Sequence, residues 1–125
     1  ASQPATQPQL LKDLSQAVSD FHADLEGHQL SDNVLIYIFT EFGRRVKDNG
    51  SGTDHGSGGG GFVIGGAVKG GMYCEYPSLK DGDLLEGDLR FNQDFRGVYG
   101  NILERWLDLD PVSIVGGNFE QPGFL

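Results

Sequence analysis

One apolar run constrains this chain more than any other feature: residues 34–39, VLIYIF. Val34, Ile36 and Ile38 are β-branched, and Tyr37 and Phe39 are aromatic. These residue types pack well on a pleated surface, so the run predicts a buried strand. It lacks the alternation of a strand with one wet face. That pattern predicts cover on both faces, as in a parallel sheet. Upstream, Leu10, Leu11, Leu14, Val18, Phe21 and Leu25 recur at helical spacing. Residues 10–26 are therefore expected as an amphipathic helix, with Gly27 as its stop. Residues 93–108 repeat the pattern through Phe95, Val98, Tyr99, Ile102, Leu103, Trp106 and Leu107. Gly97 and Gly100 either weaken that helix or let something pack closely against it. The expected fold is α/β: a small, mostly parallel sheet flanked by the helices at 10–26 and 93–108.

Residues 1–9, ASQPATQPQ, read as a flexible arm or linker because of their small polar residues and two prolines. Residues 10–125 are then a single α/β domain, a length that suits one modest core. Residues 62–65 form a second strand candidate and 68–76 a third strand or a turn. Residues 77–91 read as a solvated excursion, and the segment after Pro111 as an extended tail. The formal net charge of −9 argues against nucleic acid or an anionic membrane as partner. No apolar run reaches the roughly 18 residues of a membrane span, and no signal peptide is visible. Cys74 is the only cysteine, which excludes an internal disulfide and points to a structural thiol.

The apolar run leads into Thr40-Glu41-Phe42-Gly43-Arg44-Arg45, and a short polar stretch later the chain reaches Gly52-Thr53-Asp54-His55-Gly56. Of the 20 glycines, most crowd between residues 50 and 71. Gly56, Gly58 and Gly61 satisfy G-x-G-x-x-G. However, they precede a strand and do not join one to a helix, so they are no dinucleotide fingerprint. Asn49-Gly50-Ser51 fits a glycosylation sequon, which chance explains equally well. Flanking glycines free the backbone to present adjacent side chains to one point. A carboxylate and an imidazole there match the mixed O/N ligation of a divalent cation. Two donors do not close a site, so Glu41 is the candidate third ligand beside Asp54 and His55. Arg44 is the candidate contact for an anionic small-molecule substrate, since a guanidinium matches phosphate or sulfate geometry. Two plainer readings stand beside these: a surface Asp-His dipeptide, and arginines that pair with local acids.

Three ordered blocks carry a resemblance: IYIFTEFGRRVKDNGSGTDHG, FVIGGAVKGGMYCEYPSL and DFRGVYGNILERWLDLDP. Together they resemble the C-terminal region of the domain of unknown function 1501 family, over about residues 33–111. The resemblance extends to the alkaline-phosphatase/sulfatase-like superfamily, in which a strand leads to a loop whose Asp-His-Gly supplies two metal ligands. It implies a divalent metal (Zn, Mn, Mg or Ca) held by Asp54 and His55. It also implies hydrolysis of a phosphoric or sulfuric ester, in an exported or periplasmic setting. The nucleophile and N-terminal acids that such enzymes use have no counterpart here. Thr53 and Ser57 do not lie where the superfamily places its nucleophile. The resemblance therefore implies that an N-terminal half or partner subunit completes the site and covers the apolar faces. The alternative is a non-catalytic binding or structural module that packs against a partner chain.

Overall fold

A computed structural model describes residues 2–125. Helix α1 (Gln3–Gly27) is followed by a 3₁₀ turn at Ser31–Asn33, then strands β1 (Ile36–Ile38), β2 (Gly43–Asp48), β3 (Thr53–Gly56) and β4 (Phe62–Ile64). A second 3₁₀ turn at Asp81–Asp83 precedes helices α2 (Phe95–Arg105) and α3 (Pro111–Val115).

The expected parallel sheet is not formed. The strands make two separate two-stranded sheets, β1 with β4 and β2 with β3, both antiparallel. The reason lies in the connections. Parallel neighbours need a crossover of a dozen or more residues, usually a helix, and no helix lies between β1 and β4. The intervening chain folds into the β2–β3 hairpin, which brings β4 back beside β1 with Ile36 opposite Ile64 and Ile38 opposite Phe62. The helices do not flank these sheets as two layers. Helix α2 reaches β1 through an edge-to-face contact of Tyr99 with Tyr37, ring centroids 5.8 Å apart. Helix α1 meets the rest of the chain at its two ends.

Helix α1 starts at Gln3, so most of the expected arm is helical. Pro4 falls in the first turn, where a missing N–H costs nothing, while Pro8 removes one hydrogen bond further in. The start is anchored on the β2–β3 hairpin. The Gln3 N–H donates to Ser51 O at 2.8 Å, and Gln3 Oε1 accepts from the Thr53 N–H at 2.9 Å. At the other end His28 caps the helix, its N–H donating to Asp24 O. Helix α2 begins where its N-cap, Asp94, accepts from the Arg96 N–H. The segment after Pro111 is a short helix before it becomes a tail. Asp110 accepts from the Val112 N–H, Pro111 fills the first turn, and Gly116 ends α3 in the left-handed region at φ 81°.

The interior is small. Leu25 and Phe124 are the buried apolar side chains, and Asn101 is the one buried polar residue among those described. Elsewhere, close approach is backbone on backbone. A Cβ on Gly43 would overlap the Gly58 carbonyl, and one on Gly97 would overlap the Glu120 carbonyl. Gly97 is thus the close-packing glycine that helical spacing left undecided.

Candidate functional site

The candidate residues sit on the β2–β3 hairpin. Its turn is closed by short polar side chains, as Asp and Asn do where they mimic backbone. Asp48 Oδ1 accepts from the Gly50 N–H at 2.6 Å, and Asn49 Oδ1 accepts from the Ser51 N–H at 3.0 Å. Gly50 takes φ 90°, which a side chain would resist. Asn49-Gly50 is the short-range hairpin signal that a reading of residues 46–61 as loop passes over. A bulge between Arg44 and Asp48 lets the longer strand β2 pair with β3.

The register sets which side chains share a face. Arg44 lies opposite His55, and successive residues of a strand point to opposite faces. His55 therefore keeps company with Arg44, and Asp54 points to the other side. The contacts agree. Phe42 stacks on the His55 ring at 3.6 Å between centroids and 17° between planes. The Arg44 guanidinium carbon lies 5.3 Å from the Phe42 centroid, and Arg44 Nη1 donates to Thr53 O at 2.9 Å. Asp54 Oδ1 instead accepts from Asn49 Nδ2 at 2.6 Å. Arg45 reaches away to Asp88, Nε to Oδ1 3.3 Å, and donates to Glu86 O. Of the two arginines, Arg45 is the one that pairs with a local acid. Glu41 lies exposed in the bend before β2 and makes no side-chain hydrogen bond or ion pair among the described residues.

The donors do not fit a closed cation site as they stand. Asp54 and His55 diverge, and no group of three His, Cys, Asp or Glu side chains gathers at one point among the described residues. Flanking glycines did not make neighbours converge, because strand pleating outweighs local freedom once β3 pairs with β2. The hydroxyls nearby are engaged: Thr53 Oγ1 with Gln3 Oε1, and Ser57 Oγ with Leu89 O. The Cys74 thiol, expected as structural, is exposed; desolvation and then the Glu120 charge push it up, which disfavours the nucleophilic thiolate.

Sequence reasoning missed a concave feature. A groove of about 430 Å³ lies between α2 and α3, lined by Phe95, Arg96, Tyr99, Ile102, Leu103, Ile114 and Val115. In its wall, Arg96 is fixed from several sides. Its guanidinium lies 3.9 Å from the Phe119 ring centroid, and Nε and Nη2 donate to the two Asp94 oxygens at 3.0 and 2.7 Å. Those hydrogen bonds, with the Arg96 N–H and the guanidinium charge, hold the Asp94 carboxyl down at about 2. The groove depends on α3, so the clue lay in Asp110-Pro111 followed by Gly116, start and stop signals for a helix.

Compared with known proteins, residues 1–86 match the model of one family, described as a protein of unknown function (DUF1501). No curated protein and no solved structure matches the chain. No helix among the described residues is long and apolar enough to cross a membrane.

Proposed function

The chain belongs to the DUF1501 family, and from that premise we propose that it acts as a packing lobe that brings the β2–β3 hairpin to a joint with further protein. One observation carries this reading. The large apolar side chains lie mostly on the outside: Leu10, Leu11, Leu14, Phe21, Phe39, Phe62, Phe95 and Ile114 are all exposed. Apolar surface on this scale marks an interface.

The hairpin decides what the joint is for. Asp54, His55 and Arg44 are exposed on a ribbon that Gln3 and the turn residues hold in shape. The resemblance of its sequence to phosphatase- and sulfatase-like enzymes supports a role in metal-dependent hydrolysis of a phosphoric or sulfuric ester. That role requires Asp54 and His55, which diverge in this hairpin, to be brought onto one divalent cation with Glu41 as a supporting donor, while Arg44 contacts the anion. Because Asp54 and His55 face opposite ways, the chemistry belongs to the covered assembly and not to the bare chain. The second reading, a non-catalytic module, draws on that same divergence.

The test is a titration of the chain with Zn²⁺ and Mn²⁺, followed by NMR, beside an assay of aryl phosphate and aryl sulfate hydrolysis. The hydrolase reading expects weak binding that both Asp54→Ala and His55→Ala diminish, with no turnover by the bare chain. Binding unchanged in both variants leaves the module reading alone.

A further inference from the structure

The turn between β2 and β3 holds a reactive pair that neither the packing nor the donor geometry uses. Asn49-Gly50 is the sole Asn-Gly pair in the sequence, and residues 48–51 are exposed to water. An asparagine before glycine is open to attack by the next peptide nitrogen on its own side-chain carbon, because no Cβ on the glycine shields that nitrogen. The product of the attack is a five-membered succinimide. Here the neighbours bear on each reacting atom. The Gly50 N–H donates to Asp48 Oδ1 at 2.6 Å, so a carboxylate already shares the proton that the attacking nitrogen must lose. Asn49 Oδ1 accepts from the Ser51 N–H at 3.0 Å and from Ser51 Oγ at 3.2 Å, so two donors face the oxygen on which negative charge develops. The ring closed by the Ser51 N–H bond contains both Asn49 Cγ and Gly50 N, which folds the side chain over the nitrogen that attacks it. The departing group, Asn49 Nδ2, donates to Asp54 Oδ1 at 2.6 Å.

We propose that Asn49 is a self-modification site: the turn converts it through a succinimide to aspartate and isoaspartate, and the conversion releases Asp54 from its hydrogen bond. The Gly50 nitrogen forms a bond to Asn49 Cγ as its proton passes to Asp48. The Cγ–Nδ2 bond then breaks, Nδ2 takes up that proton, and ammonia leaves. Water, the only co-reactant, adds to the ring at either carbonyl carbon. Addition at Cγ breaks its new bond to the Gly50 nitrogen and gives aspartate. Addition at the Asn49 main-chain carbonyl breaks the original peptide bond and gives isoaspartate, whose main chain runs through Cγ. Either product carries a carboxylate where an amide donor faced Asp54. Like charges that close repel, so Asp54 turns free of position 49. Isoaspartate also adds a backbone carbon to the turn, and the turn fixes Arg44 opposite His55. The modification therefore resets the ribbon that carries the candidate donors, whether or not a cation binds there.

The test is incubation of the whole chain near neutral pH. Ammonia release and peptide mapping follow position 49, and enzymatic methyl-ester labelling reads isoaspartate. Conversion at Asn49 should outpace that at Asn33, Asn92, Asn101 and Asn118, none of which precedes a glycine. It should run about tenfold faster in the native chain than in the same chain unfolded in urea, and Asp48→Ala should slow the native reaction about tenfold, a modest share of what a positioned base supplies. Asn49→Asp, which carries one product directly, should displace the Asp54 carboxyl resonance as ageing of the chain does. Asn49 left intact in the native chain while the unfolded chain converts overturns the self-modification, as do equal rates in the two. Because Asp48→Ala can also loosen the turn, the ratio of native to unfolded rates decides without any substitution. An Asp54 resonance unmoved in Asn49→Asp overturns the release.

Discussion

The β2–β3 hairpin and the seam between α2 and the C-terminal tail are both tight, and they are tight by different means. The hairpin is held by polar groups: Asp48, Asn49 and Gln3 satisfy its turn and its outer strand. The seam is held by burial. Gly97 lets the Glu120 carbonyl approach, and Asn101 lies 2% exposed and donates to Gln121 Oε1. Residues 1–86, the part that matches the family, contain the hairpin, and the seam lies beyond them. The difference teaches where each kind of stability leads. Polar closure fixes the shape of a ribbon and keeps its side chains outside, available for presentation. Burial at a short seam steadies one helix and leaves the larger apolar faces uncovered.

The comparison breaks most readily at its glycines. Gly97→Ala gains about 1 kcal/mol of helix propensity, but its methyl meets a backbone carbonyl that cannot swing aside. We expect a net loss of about 2–3 kcal/mol. Gly43→Ala, pressed on the Gly58 carbonyl, should lose about 3 kcal/mol. Denaturant unfolding of both single variants and the double variant measures these losses. Independent regions require additivity within about 0.5 kcal/mol, so a larger coupling would mean that hairpin and seam are one unit.

Smaller effects sharpen the contrast. Asn101→Ala leaves the half-buried Gln121 Oε1 without its donor and empties space at a 2% exposed position, and should cost about 2 kcal/mol. Asn49→Ala removes exposed bonds to Ser51 and Asp54 and should cost about 1 kcal/mol or less. Equal losses at the two positions would contradict a buried seam beside an exposed ribbon. Asp110→Ala removes the N-cap of α3 and should cost about 1 kcal/mol, read as a drop in Tm and a more open groove.

The smallest effect is in acid. The Asp94 carboxyl is held low by its hydrogen bonds to Arg96, at about 2 against 3.8. A depressed carboxyl stabilises the fold above its unfolded value, and that contribution fades as pH falls from about 4 toward 2. Carboxyl NMR should place the Asp94 midpoint near 2 and move it upward in Arg96→Ala. A midpoint unmoved by that substitution would remove Arg96 from the cap.

The sequence by itself determined what local chemistry can determine. The spacing of Leu11, Leu14, Val18 and Leu25 makes α1 a helix, Phe95 through Leu103 makes α2 one, and the runs at 34–39 and 62–65 contain β1 and β4. Family membership was also legible, in the ordered blocks from TEFGRR through TDHG. Three features needed the third dimension. Strand direction was one, because an unbroken apolar run looks the same in a parallel and an antiparallel pair, and only the hairpin folded between β1 and β4 chose the latter. The start of α1 was another, since the polar, proline-containing first residues became helix once Gln3 found Thr53 across the chain. The third was the site. Asp54 and His55 are neighbours in sequence, but pairing Arg44 with His55 places them on opposite faces of a ribbon. Adjacency is a covalent fact, while convergence depends on which face the pleat assigns to each side chain, and pairing partners set that.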